Sequence, residues 1–172
     1  MFPVLQYFYA MKTATVVQIK KELQHRNPEE LLELCLRLSK FKKENKELLT
    51  YLLFEADDEE GYLERVKVAL DTWFSELNTN SYYFIKKSVR KILRNLKKYI
   101  RYSGKKDSEV ELLIYFCEKL SDLKPSMQHN TTLLTLYERQ LIFIEKKISA
   151  LHEDLQYDYG LLLTKLKNYS NV

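Results

Sequence analysis

The sequence predicts an all-α protein, an irregular bundle or short stack of helical hairpins with six to eight helices and no sheet, forming a single domain over residues 1–172. Three observations carry this. The chain has only 3 Gly and 3 Pro, and hairpins and tight turns draw on those residues. Leu, Lys and Glu dominate, all good helix formers. Apolar residues recur at helical spacing in one segment after another. A hydrophobic fraction of 45% beside 30% charge belongs to a soluble globular chain, not a disordered one. A chain of 172 residues is long enough for a real core. The expected helix content is above about 65%, well over the usual fraction.

Each element has its own warrant. Thr15 to His25 reads as a short helix with Val16, Val17, Ile19 and Leu23 on its apolar side. Asn27-Pro28-Glu29-Glu30 is a helix start: Asn caps, Pro suits the first helical position, and the carboxylates meet the positive end of the dipole. That helix runs to about Phe41 and is expected to bury Leu31, Leu34, Cys35 and Leu38. After a brief break at 42–45, a third helix spans Glu44 to Glu55. Asp57-Asp58-Glu59-Glu60 opens a fourth, through Trp73 and Phe74 to Leu77. Asn78 to Ser81 makes a turn and cap before a basic helix to about Tyr102, which Gly104 stops. Ser108-Glu109-Val110-Glu111 matches a capping box and starts a sixth helix to about Leu123. Lys124 to Asn130 is a loop. A last long helix runs from Thr132 to about Asp158, interrupted near Gly160 before a final stretch at 161–168.

The first ten residues are apolar but lack the positive start of a signal peptide. Met11 is an alternative start, which would make residues 1–10 an upstream extension, and residues 1–12 are expected to form a loose N-terminal extension. No run approaches a membrane span. Cys35 and Cys117 sit in apolar helical patterns with no partner at ligand spacing, and read as reduced core residues of a cytoplasmic protein.

The charge distribution is the most informative feature for function. Between Ser81 and Lys106 lie ten basic residues and no acidic one, leaving 18 basic and 24 acidic residues in the rest of the chain. On a helical projection Ile85, Val89, Ile92, Leu93, Leu96, Tyr99 and Ile100 occupy one side. The eight cations from Lys86 to Arg101 occupy an opposite arc of roughly 140°. Lys87, Arg90, Arg94, Lys97, Lys98 and Arg101 form the candidate binding surface. One reading is a ridge that tracks phosphates, with Tyr83 beside it to stack on a base and Tyr102 at its margin. A second is a solvated face or protein contact, balanced by Asp57, Asp58, Glu59, Glu60 and Glu64 on the preceding helix. A third is an anionic lipid surface, which the dense apolar side disfavours.

In the long last helix Leu134, Leu141, Ile148, Leu155 and Leu162 recur every seven residues, with Tyr137, Ile144 and Leu151 between them until Asp158. This is a dimer seam or a seam within one bundle; the extra apolar residues widen the stripe and favour the second. His25, His129 and His152 are isolated, and nothing resembles a metal motif, a catalytic triad or a glycine-rich phosphate loop. The acidic run at 57–60 lacks the alternating ligands of a calcium loop.

The stretch Ile19-Lys20-Lys21-Glu22-Leu23, then Pro28 to Leu34, then Lys40 to Leu49, resembles the N-terminal pattern of an uncharacterised bacterial family of small all-helical proteins. The segment from Lys86 to Lys98 is similar to a later part of that family. The resemblance covers about half the chain and implies a bacterial cytoplasmic helical protein with no activity or functional residues to transfer. The expectation is a non-catalytic interaction or scaffold protein, without cofactors, that binds a protein partner or itself. The alternative is a nucleic-acid-associated protein using the basic helix at 81–106.

Overall fold

The computed structural model describes residues 12–170, so the expected extension at 1–12 lies outside them but for Lys12. About 80% of the described residues are helical, and no strand occurs among them. The helices are α1 (Val16–Leu23), α2 (Pro28–Phe41), α3 (Lys43–Phe54), α4 (Glu59–Ser75), α5 (Tyr82–Ser103), α6 (Lys106–Ser121), α7 (Thr131–Ile148) and α8 (Glu153–Ser170). A 3-10 turn, Met127–His129, precedes α7. The contacts gather into two units, one up to Leu49 and one from Thr50.

In the first unit, local chemistry sets the helix starts. Thr15 caps α1 in a reciprocal box with Gln18. Asn27 does the same for α2 with Glu30, and Pro28 occupies the first turn. These boxes satisfy backbone N–H groups that have no partner within the helix. None of the described residues up to Leu49 is buried. The expected burial of Leu34, Cys35 and Leu38 is corrected: Cys35 is exposed and Leu38 is 60% exposed, while Leu31 is only partly covered. The periodicity of α2 makes an apolar face that is largely open within the first unit.

Among the described residues, the buried core lies in the second unit. The α5 stripe of Ile85, Val89, Ile92, Leu96 and Ile100 is buried, as expected. Trp73 of α4 stacks on Tyr99 with centroids 6.1 Å apart, and the Tyr62 hydroxyl donates to the Tyr99 carbonyl at 3.0 Å. Phe74 turns instead to Phe116 of α6, at 5.7 Å. Contacts of α4 with α6 rise together along both helices: Glu59 to Ser108, Lys67 to Glu111, Asp71 to Tyr115. These two helices therefore run parallel, with α5 returning between them in sequence. Helix α6 is the most deeply buried element, with Leu112, Leu113, Phe116, Cys117 and Leu120 fully enclosed.

Two boundaries differ from expectation. The long last helix is two helices, broken at Ser149–His152 and not at Gly160, which sits within α8. The break reverses the chain: the Tyr137 hydroxyl reaches the Leu166 carbonyl at 2.9 Å and Lys167 pairs with Glu145 at 2.6 Å. The α7 heptad pattern is thus an intramolecular seam, burying Tyr137, Leu141, Ile144 and Ile148 against the bundle. The proposed capping box at Ser108 is also corrected. Helix α6 starts a turn earlier, after Gly104 ends α5 in the left-handed conformation (φ 67°). Ser108 is buried and donates to the Glu59 carboxylate at 2.6 Å.

Candidate functional site

Helix α5 presents the basic surface because its apolar stripe is anchored in the core. Seven residues after Ile85 comes Ile92, and four after that Leu96, so one side of the helix is held inward along its length. The opposite side then faces water. Lys87, Arg90, Lys91, Arg94 and Arg101 are exposed. Lys97 is half-buried, its Nζ 5.3 Å from the centre of the Phe143 ring of α7. Lys98 is half-buried, 5.0 Å from the Tyr99 ring and 6.0 Å from Tyr102. The six predicted site residues are thus brought onto one helix face, four open to solvent and two leaning on aromatic rings.

Three of the five acidic residues expected to balance this face, Asp58, Glu59 and Glu64, are engaged elsewhere. Glu59 accepts from Tyr51, Ser103 and Ser108 and lies 3.4 Å from Lys105. Asp58 caps α4 through the Gly61 N–H and pairs with Arg65, which also holds Glu55. Glu64 pairs with Lys67. Among the described residues, no carboxylate forms an ion pair with Lys87, Arg90, Lys91, Arg94 or Arg101. Lys105, by contrast, is absorbed into the Glu59 cluster.

Of the two tyrosines weighed for stacking, Tyr83 is 66% exposed and sits edge-on to Phe84 at 5.4 Å. Tyr102 is buried, which removes it from any surface role. Tyr82 is tied down, its hydroxyl donating to the Ser126 carbonyl at 2.7 Å.

Sequence reasoning missed a groove of about 470 Å³ beside the ridge. Arg90 and Leu93 of α5 form one wall; Thr131, Thr132, Thr135, Leu136, Arg139 and Gln140 of α7 form the other. Gln140 occupies the buried stripe of α7 among Tyr137, Leu141 and Ile144, and its Oε1 has no hydrogen-bond partner. The available signal was a lone amide at an inward position of an apolar helix face. Among the described residues no three His, Cys, Asp or Glu side chains converge as metal ligands. No described helix is long and apolar enough to cross a membrane.

No family model, curated protein or solved structure matches this chain.

Proposed function

We propose that this protein acts by binding, not catalysis, and that its first helices supply an apolar surface for a helical protein partner, a second copy of the chain being the first to test. The observation that carries this is the uncovered apolar face of the first unit. Val16 is 81% exposed and Phe41 74%, with Leu32, Leu34, Leu36 and Leu38 also open to solvent. Large exposed apolar surface marks interaction sites. Leu34, Leu38 and Phe41 follow the spacing by which a helix enters a partner's groove. Light scattering across a concentration series tests the reading. Wild type is expected to self-associate, and the Leu34→Glu/Leu38→Glu variant to be monomeric with unchanged thermal stability. A wild-type chain that stays monomeric and leaves an apolar fluorescent dye unbound would sink the idea; a monomer that takes up the dye points to a different partner.

A second reading is favoured by Lys87, Arg90, Lys91, Arg94 and Arg101 of α5, with which no described carboxylate forms an ion pair. Lys and Arg on such a ridge bind nucleic-acid phosphates by releasing counterions, without regard to sequence. Exposed Tyr83 adds a ring on which a base can stack. Reversal of Arg90, Arg94 and Arg101 to Glu is expected to abolish gel shifts of labelled RNA or DNA and to leave helicity intact, since these side chains face outward. Wild-type binding is expected to fall steeply with salt. No shift in ~50 mM salt, where such attraction is strong, rejects this second reading.

A further inference from the structure

We propose that the groove between α5 and the N-terminal half of α7 is a phosphate-binding site, seating one backbone phosphate of a single-stranded nucleic acid that lies along the α5 ridge; this rests on the nucleic-acid reading above. The lining is built for an oxyanion. Its polar groups are the guanidinium groups of Arg90 and Arg139, the hydroxyls of Thr131, Thr132 and Thr135, and the Gln140 amide. All of these donate hydrogen bonds, and no carboxylate lines the groove. The threonines lie in the first turns of an 18-residue helix, whose positive end favours a negative charge, and no acidic residue occupies its first turn. Each planar guanidinium fork can pair bidentately with two oxygens of a tetrahedral phosphate.

Gln140 is the independent observation. It is only 7% exposed, it lines the groove, and its Oε1 is unpartnered. A buried carbonyl oxygen without a partner costs stability, and an apolar side chain at this position would extend the α7 stripe. Its terminal torsion is soft, so the NH2 end can turn to a ligand oxygen while the stem stays packed. Leu93 and Leu136 supply apolar wall for the sugar beside the phosphate. Arg90 belongs to both the ridge and the groove, which makes the two surfaces continuous.

Fluorescence anisotropy with a labelled single-stranded oligouridine in ~50 mM salt separates the claims. Arg139→Glu and Gln140→Leu are each expected to weaken binding about tenfold or more, the effect of losing a charge-assisted hydrogen bond. Gln140→Leu should also raise the thermal midpoint, as a residue kept for a ligand and not for packing would. Circular dichroism checks that both variants fold. If both bind as wild type does while Lys87→Glu/Arg94→Glu loses binding, the groove is rejected and the ridge stands. If wild type binds no oligouridine, the nucleic-acid reading fails. Titration with inorganic phosphate, followed on the amide resonances of Thr131, Thr132 and Thr135, then decides the groove: shifts there retain it as a site for a free phosphate group, and unmoved resonances overturn it.

Discussion

Glu59 shows how much one side chain can organise. Its carboxylate accepts from Tyr51 on α3, Ser103 at the end of α5 and Ser108 on α6, with Lys105 nearby. Burial by itself raises the pKa of this acid, but the three hydroxyl donors and the Lys105 charge outweigh it and hold the group below the ordinary carboxylate value. A lowered native value has a definite sign. The stabilisation is complete above the unfolded value, about 4.3 for Glu, and is lost as pH falls through the lower native value. Glu59→Ala is expected to cost roughly 3 kcal/mol in urea unfolding at pH 7, since hydroxyls on three helices lose a charged acceptor. The deficit relative to wild type should shrink on acidification below pH ~4, as the wild-type carboxylate protonates. A deficit that stays constant down to acid would show that the charge is not what the hydroxyls hold. Sequence gave the acidic run at 57–60 a role in starting α4, which Asp58 fulfils. It was silent on Glu59 because two of its three hydroxyl partners, Ser103 and Ser108, come from 44 and 49 residues away.

At the scale of the element, the boundary between α7 and α8 is instructive. Ser149-Ala150-Leu151-His152 contains neither Gly nor Pro, and the apolar heptad continues through Leu151 and Leu155. Local preference therefore favours one helix, and the reversal that buries Leu163 and Leu166 overrides it. The signal that marks the break is Glu153-Asp154, an acidic pair suited to a new helix start. Gly160, the residue that looks like a breaker, is helical, and a Cβ added there meets nothing within 4 Å. Gly160→Ala is accordingly expected to stabilise the protein by about 0.5–1 kcal/mol, read as a higher thermal midpoint. A lower midpoint would mean that close packing, not chance, keeps glycine there. Gly61 is a different case: an added Cβ would collide with the Asp58 carboxylate, so the same substitution there disrupts the α4 cap.

For the whole molecule, burial is uneven, and mutational sensitivity should follow it. Ile92→Asp places a charge in the α5 stripe, 4% exposed, and is expected to destabilise by more than about 4 kcal/mol or to prevent folding. Leu38→Asp, on the open face of α2, should leave the melting transition within about 0.5 kcal/mol of wild type. Equal sensitivity at both positions would contradict the burial pattern. The contrast also explains what was legible. Helical spacing disclosed both amphipathic faces equally well, because it reports which residues share a side. What covers that side is a tertiary fact: the α5 stripe is buried within the second unit, while the α2 face is largely open within the first. The ridge was readable for the same reason: its six cations lie on one continuous helix. The groove was not, because Arg90 and Arg139 belong to helices far apart in sequence.

The outward row of cations on α5 also governs how this molecule meets any charged material, biological or not. A formal charge of +4 is a modest average over acidic and basic regions. A negatively charged chromatography resin samples no average; it adsorbs the face that attracts it most. Retention should then follow Lys87, Arg90, Lys91, Arg94 and Arg101, and adsorbed molecules should share one orientation with that helix against the beads. Immobilised in this way, the chain would hide its basic side and leave other surfaces accessible, so an assay on a cation-exchange support would report a different molecule from one in solution.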